Sequence, residues 1–209
     1  MQELLNYKND NGSFHLYQYE KNSDELLSQV KLNSQELNKL NSFTSKKRKK
    51  EWLAVRYLLK VLHPKENISL VYNEHGKPSL SNQSKISISH SDNYVAIALS
   101  ASTEIGIDIQ YHKDKIKNIQ SKFTHPLEIE KLNPKPEALK MEFLHYLWTA
   151  KEAIYKTIAV PGTIFTEIDG SQFEIEKNKN WIATYRSEIF TLYSIRIDQL
   201  YLSFCHNIQ

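Results

Sequence analysis

The chain has 209 residues, enough for one large domain or two small ones and for a real hydrophobic core. Its net charge of +3 tolerates an anionic ligand or an acidic partner without demanding nucleic acid, and no run approaches the roughly 18 apolar residues of a membrane span. One cysteine, Cys205, excludes an intrachain disulfide and fits a reducing cytoplasm, and the opening residues carry no basic-then-apolar signal pattern. Glycine is scarce, no phosphate-loop or dinucleotide glycine motif occurs, and the histidines lack the pair spacing of a zinc site.

Residues 13–19 alternate and predict a strand. Segments 23–30 and 34–40 read as short helices, each opened by a serine able to cap it. A long helix is predicted over 44–62, ended by His63-Pro64. Its basic start, Lys46 to Lys50, reads as a solvated face. Arg48 and Arg56 lie near one face of it, and a guanidinium fork suits phosphate. Residues 69–72 predict a strand, and Asn73 to Pro78, which includes Gly76 and Lys77, a turn. Strands 85–91 and 94–100 are joined by Asp92-Asn93 as a hairpin. A third strand follows over 104–111. There Ile105, Ile107 and Ile109 share one face, and Gly106, Asp108 and Gln110 the other. An aspartate in mid-strand runs against propensity, and such exceptions mark sites. Gly106 leaves room for a ligand or another backbone. Residues 113–135 form a polar, partly helical connection. Residues 164–205 read as three or four antiparallel strands with an Asp169-Gly170 turn.

The stretch 143–158 organises the rest. Projected as a helix, it places Leu144, Leu147, Trp148, Tyr155 and Ile158 on one core-facing stripe. Lys151 falls in the middle of that stripe, with Glu152 and Lys156 at its edge. Burying an unpaired ammonium is costly, so Lys151 requires an anionic partner or a wet cleft. Taken alone, this helix is also explained by a Glu152–Lys156 surface pair and a snorkelling lysine. A faint repeat relates Trp52-Leu-Ala-Val-Arg56 to Trp148-Thr-Ala-Lys151-Glu152, each helix being followed by a breaker and then strands. The expected fold is therefore α+β, a pseudo-twofold pair of subdomains over 1–102 and 103–209. Each sets a long helix on a small, mainly antiparallel sheet, with a ligand cleft between the two.

Asp108 and Gln110 from a strand and Glu152 from a helix are hard oxygen donors of the kind magnesium takes, alongside water and phosphate. Lys151, Lys156, Arg48 and Arg56 can neutralise a polyphosphate, and His90 can donate to phosphate or ribose. Few carboxylates with many cations suggest phosphoryl-type transfer.

Gly106-Ile-Asp108-Ile-Gln110 followed by Trp148-Thr-Ala-Lys151-Glu152-Ala-Ile-Tyr-Lys156 resembles the two signature motifs of the 4′-phosphopantetheinyl transferases. Glu51-Trp-Leu-Ala-Val-Arg56, Gly76-Lys77-Pro78, Ser87-Ile-Ser89-His90-Ser91 and the Phe…Glu pattern ending at Glu128 follow the larger, surfactin-type class, in the right order. The resemblance implies a monomer of two similar halves with coenzyme A between them. It implies Mg2+-dependent transfer of the 4′-phosphopantetheine arm to a serine of an apo acyl carrier protein or peptidyl carrier domain, releasing 3′,5′-ADP. By the same resemblance Asp108 and Glu152 are metal ligands and Lys156 meets the pyrophosphate. Lys151 also falls on the coenzyme side. His90 with Arg48 or Arg56 holds the 3′-phosphate, Arg56 giving the tighter local match. Gly76, Lys77 and Pro78 form the adenine-side loop, and Ser89 lies beside the phosphates. Glu128 stands near the metal as a candidate acceptor of the serine proton.

The sequence departs from the pattern at Gln110, where a third carboxylate is usual. An amide oxygen there coordinates directly or through water, and magnesium should bind more weakly. A silent homologue that only binds coenzyme A or a carrier rests on Gln110 alone. A nucleic-acid module resting on Lys46 to Lys50 lacks any supporting motif, and no membrane association is expected.

Overall fold

The computed structural model describes residues 1–20, 22–64, 68–74, 76–175 and 180–208. His75 of the predicted turn and residues 176–179 of the last predicted strands lie outside them. The first half runs β1 (Gln2–Asn9), β2 (Gly12–Gln18), α1 (Ser23–Leu27), α2 (Ser34–Ser42), α3 (Lys46–Leu62), β3 (Leu70–Tyr72), β4 (Pro78–Leu80), β5 (Lys85–Ser91) and β6 (Tyr94–Ser100). The second runs β7 (Ile105–Tyr111), a 3₁₀ segment (Asp114–Lys122), α4 (Pro126–Leu132), α5 (Glu137–Ile158), a 3₁₀ turn (Phe165–Glu167), β8 (Ile168–Asp169), β9 (Asn180–Tyr185), β10 (Glu188–Ile197) and β11 (Leu200–Asn207).

Both sheets are antiparallel, in the orders β1-β2-β6-β5-β4-β3 and β7-β11-β10-β9-β8. Set β1 aside and the two halves share one plan. A first strand leads through a long helix to a meander, whose last strand returns to pair with the first. This is the α+β, pseudo-twofold arrangement expected from the repeat of Trp52 and Trp148. The halves stack in layers. Leu53, Val55 and Leu58 of α3 pack on Ile86, Val95 and Ile97 of the first sheet. The other face of that sheet, with Phe14, Leu16, Ala96 and Ala98, meets Ile105, Ile107, Ile109, Leu202 and Phe204 of the second. Beyond lies α5, whose Phe143, Leu147, Ala150 and Ile154 cover Ala183, Leu192 and Tyr201.

Three local readings change. The caps of α1 and α2 are Asn22 and Asn33, not the serines that follow; Asn33 and Glu36 close a full capping box. Strand β1 was not anticipated, because a bulge between Glu3 and Leu5 breaks the two-residue alternation. Pro78 opens strand β4 rather than ending a turn. Among the described residues no helix is long and apolar enough to cross a membrane.

The two sheets are also stitched. β7 is an edge strand, so one row of its backbone N–H groups has no neighbouring strand. The N–H groups of Ile107, Ile109 and Tyr111 donate instead to the hydroxyls of Ser87, Ser89 and Ser91, at 3.0, 3.1 and 2.9 Å. Alternate serines of β5 thus stand in for the carbonyls of a missing strand.

Candidate active site

Gly106 holds the strand and the organising helix together. A Cβ there would lie 1.8 Å from the Ala153 carbonyl oxygen, so only glycine lets α5 lie this close to β7. The space above Gly106 is therefore taken by backbone, not ligand. Two residues along β7, Asp108 reaches the same helix. Its Oδ1 accepts from Lys156 Nζ at 2.7 Å and from the Ser89 hydroxyl at 2.7 Å. Lys156 also donates to the Ile107 carbonyl at 3.0 Å. One turn before Lys156, Glu152 is half-buried. Among the described residues no hydrogen bond or ion pair reaches its carboxylate. Burial first, then the neighbouring Asp108 carboxylate, pushes the Glu152 carboxyl up to about 7.

Two carboxylates thus lie near enough to feel each other's charge and that of Lys156, and among the described residues one of the two lacks a partner. A hard divalent cation fits that donor set, with water and phosphate oxygens completing its shell. Among the described residues no group of three or more His, Cys, Asp or Glu side chains assembles as a metal cage. Any ion held here would depend on a bound phosphate. A cavity of about 480 Å³ opens beside Lys156, walled by Gly76, Lys77, Pro78, Tyr155 and Pro161. Gly76, at φ +79°, turns the chain into it. The Lys77 ammonium is committed to Glu104 at 2.6 Å and to the Thr157 carbonyl at 3.1 Å, so this lysine offers the cavity its backbone and stem.

A cationic cluster stands on β5 and α3. Arg48 Nη1 lies 2.8 Å from His90 Nε2. The buried Glu51 carboxylate lies 3.5 Å from His90 Nδ1 and 3.6 Å from Arg48. Burial holds His90 below the usual imidazole range. Arg48 and Lys156 push the same way, and Glu51 opposes them. Arg56 is elsewhere, and the preference for it over Arg48 is corrected. Its guanidinium lies 3.3 Å from the centre of the Trp52 ring and 3.4 Å from Glu36. Trp52 and Arg56 are one helical turn apart, so the ring takes the guanidinium before a ligand can. Glu51 itself was read only as part of a motif. Its position three residues after Arg48 on one helix was the available signal.

Three further expectations change. Lys151 is fully buried, and its ammonium donates to Glu128 at 2.8 Å and to the carbonyls of Phe123, Ile168 and Phe165 at 2.7, 2.7 and 3.2 Å. It faces no cavity for a coenzyme. Glu128, equally buried, also accepts from the N–H groups of His125 and Gly170 at 2.7 and 2.8 Å. A carboxylate closed on three sides is no acceptor for a proton arriving from outside. Burial raises the Glu128 carboxyl and lowers the Lys151 ammonium, each opposed by the other's charge. The anionic partner that the apolar stripe demanded is therefore Glu128. Gln110 donates its amide N–H to the Tyr111 carbonyl at 2.8 Å and lines a separate cavity with His145 and Trp148.

Residues 104–205 match the family model of the 4′-phosphopantetheinyl transferase superfamily. That segment is similar to the superfamily. It spans β7, α5 and the second sheet, and so contains Asp108, Glu152 and Lys156. Among curated relatives, 4′-phosphopantetheinyl transferase gsp of Aneurinibacillus migulanus is 32% identical over 159 residues, covering 74% of this chain and 65% of that protein. 4′-Phosphopantetheinyl transferase HetI of a Nostoc species is 28% identical over 139 residues, 60% of this chain and 58% of its own length. 4′-Phosphopantetheinyl transferase AcpT of Escherichia coli O157:H7 is 28% identical over 145 residues, 62% of this chain and 72% of its own. The chain thus spans less than two thirds of gsp and of HetI.

Proposed function

We propose that the chain transfers the 4′-phosphopantetheine arm of coenzyme A to a serine of an apo acyl carrier protein or peptidyl carrier domain. The observation that carries this reading is the Glu152 carboxylate, unpartnered among the described residues, near Asp108 and Lys156, with Lys156 also lining the Gly76–Pro78 cavity. The serine hydroxyl gives up its proton to water as its oxygen bonds to the β-phosphorus, the bond from that phosphorus to the bridging oxygen breaks, and 3′,5′-ADP departs with that oxygen. Asp108 and Glu152 would hold Mg2+, which supplies positive charge to the pyrophosphate oxygens. Lys156 adds a second cation from the chain itself. Arg48 and His90 are the groups for the isolated 3′-phosphate, and the Gly76-Lys77-Pro78 loop walls the adenine side. Ser89 acts on Asp108. Glu128 and Lys151 take no part in the transfer, and Gln110 stands apart from the donor set.

Residues 1–102 supply Arg48 and His90, and 103–209 the carboxylates and Lys156, so the site needs both halves. The two-halved plan and the chain length favour the larger, surfactin-type class and a monomer. A buried, free Cys205 suits the cytoplasm. The test is incubation with coenzyme A, Mg2+ and an apo carrier, followed by intact mass of the carrier. A gain of one phosphopantetheine arm, lost on omitting Mg2+ and in Asp108→Asn and Glu152→Gln, is expected. No gain across several carriers, with coenzyme A still bound, would replace transfer with binding alone.

A further inference from the structure

The three serines of β5 make the same bond to β7, yet one of them makes a second. Ser87, Ser89 and Ser91 each accept one N–H of the edge strand. Only the Ser89 hydroxyl also donates to a carboxylate, Asp108 Oδ1 at 2.7 Å, and among the described residues neither Ser87 nor Ser91 touches one. Ser89 is buried and its hydrogen can point one way, because the Ile109 N–H already occupies an acceptor direction on the oxygen. Lys156 takes the same Oδ1. Two donors hold the carboxylate by one oxygen, and neither of these bonds uses Oδ2.

We infer that Ser89 is a positioning residue, through which the first half of the molecule sets the orientation of the Asp108 carboxylate as a ligand for a divalent cation. The inference rests on the reading of Asp108 as a metal ligand given above. Outer hydrogen-bond partners of ligating carboxylates orient them and tune the ion, and losing one weakens metal affinity roughly 10- to 100-fold. The seam itself separates the two roles of the serine. Ser91→Ala removes one acceptor for a β7 N–H, whereas Ser89→Ala removes such an acceptor and the carboxylate's donor.

The experiment titrates Mn2+ into the full chain with coenzyme A and follows free Mn2+ by electron paramagnetic resonance, with coenzyme A alone as the blank. Thermal melting of each variant runs in parallel. Ser89→Ala is expected to weaken Mn2+ binding roughly 10- to 100-fold, while Ser91→Ala binds as the parent does and the two variants melt alike. Ser89→Thr, which keeps the hydroxyl, should return the parent affinity. Parent-like binding by Ser89→Ala, or equal weakening in Ser91→Ala, would reduce Ser89 to a stitch and overturn the inference, with the metal reading intact. No Mn2+ binding by the parent beyond the blank would overturn both. Should Ser89→Ala fail to fold, Ser89→Thr decides alone, and a folded Ser89→Thr with weakened binding overturns the inference.

Discussion

Replacing Lys151 with methionine tests whether the ion pair under α5 belongs to the fold or to the ligand. The substitution keeps length and volume and removes only the charge and its donors. In the native chain the ammonium is fully enclosed and touches four oxygens, one of them Glu128 Oε2 at 2.8 Å. Without it Glu128 keeps only the His125 and Gly170 N–H groups, and the Phe123, Phe165 and Ile168 carbonyls face a methyl group. Removing one partner of a buried pair costs roughly 3–5 kcal/mol. For a chain of this size about 2–4 °C follows each kcal/mol, so the melting temperature should fall by roughly 6–20 °C. Glu128→Gln in the Lys151→Met background leaves no orphan charge; its amide oxygen keeps one of the two backbone N–H donors, and its NH2, which cannot accept the other, can donate to a carbonyl that Lys151 vacated. The double variant should therefore be more stable than Lys151→Met alone, with a coupling of about 0.5–3 kcal/mol. Urea unfolding, followed by both circular dichroism and tryptophan fluorescence, measures all four corners of the cycle. A Lys151→Met chain within about 1 kcal/mol of the parent that had lost coenzyme A binding would refute the reasoning and return Lys151 to the ligand.

Gly106→Ala forces a Cβ into the Ala153 carbonyl. It should cost roughly 1–3 kcal/mol or more and lower transfer, since α5 carries Glu152; a stable, active variant would deny the close approach. His145 is buried, donates from Nδ1 to the Met141 carbonyl at 2.7 Å and accepts the Lys113 N–H on Nε2 at 2.9 Å, which defines a neutral ring. Burial holds its pKa below 6.5. Between that lowered value and 6.5 the unfolded chain binds the proton and the folded chain does not, so stability falls as pH drops below 6.5. His145→Gln should flatten that limb of the urea midpoint against pH, and an unchanged slope would exclude His145 as its source. Arg48→Ala should raise KM for coenzyme A more than for 3′-dephospho-coenzyme A. Arg56→Ala should instead lower stability, by about 1–2 kcal/mol, through loss of the Trp52 stack; the opposite pattern in carrier modification and melting would exchange their roles.

The long helices were legible because 3.6-residue periodicity survives without knowledge of partners. β1 was not, since its bulge spoils the alternation that signals a strand. The demand that Lys151 find an anion was readable from its place in an apolar stripe. Which anion was not, because Glu128 lies 23 residues earlier on a different helix. A local sign existed. His125-Pro126-Leu127-Glu128 closes a capping box, with Glu128 Oε2 on the His125 N–H, so that carboxylate was half-spent before any tertiary contact. Reading Glu128 by motif placed it at the metal; reading it by its hydrogen bonds places it in the core. Asp108 was found by the opposite logic, as a residue whose strand position has no local rationale.

One plan used twice gives two unlike walls. In the first half Arg56 stands four residues after Trp52, and it is satisfied within that half by the ring and by Glu36. In the second, Glu152 stands four residues after Trp148, and among the described residues no hydrogen bond or ion pair meets it. The guanidinium of the first half that faces β5 sits instead at the start of its helix, where Arg48, 3.6 Å from Glu51, reaches His90, next in chain to Ser89 on β5. A symmetric pair of acidic sites would repel a polyanion, and a symmetric pair of basic sites would hold no cation. The asymmetry leaves carboxylates on α5 and β7 and a guanidinium and imidazole on α3 and β5. A ligand that needs a chelated pyrophosphate at one end and a bare phosphate at the other matches that division, and Ser89 lies where the two walls meet.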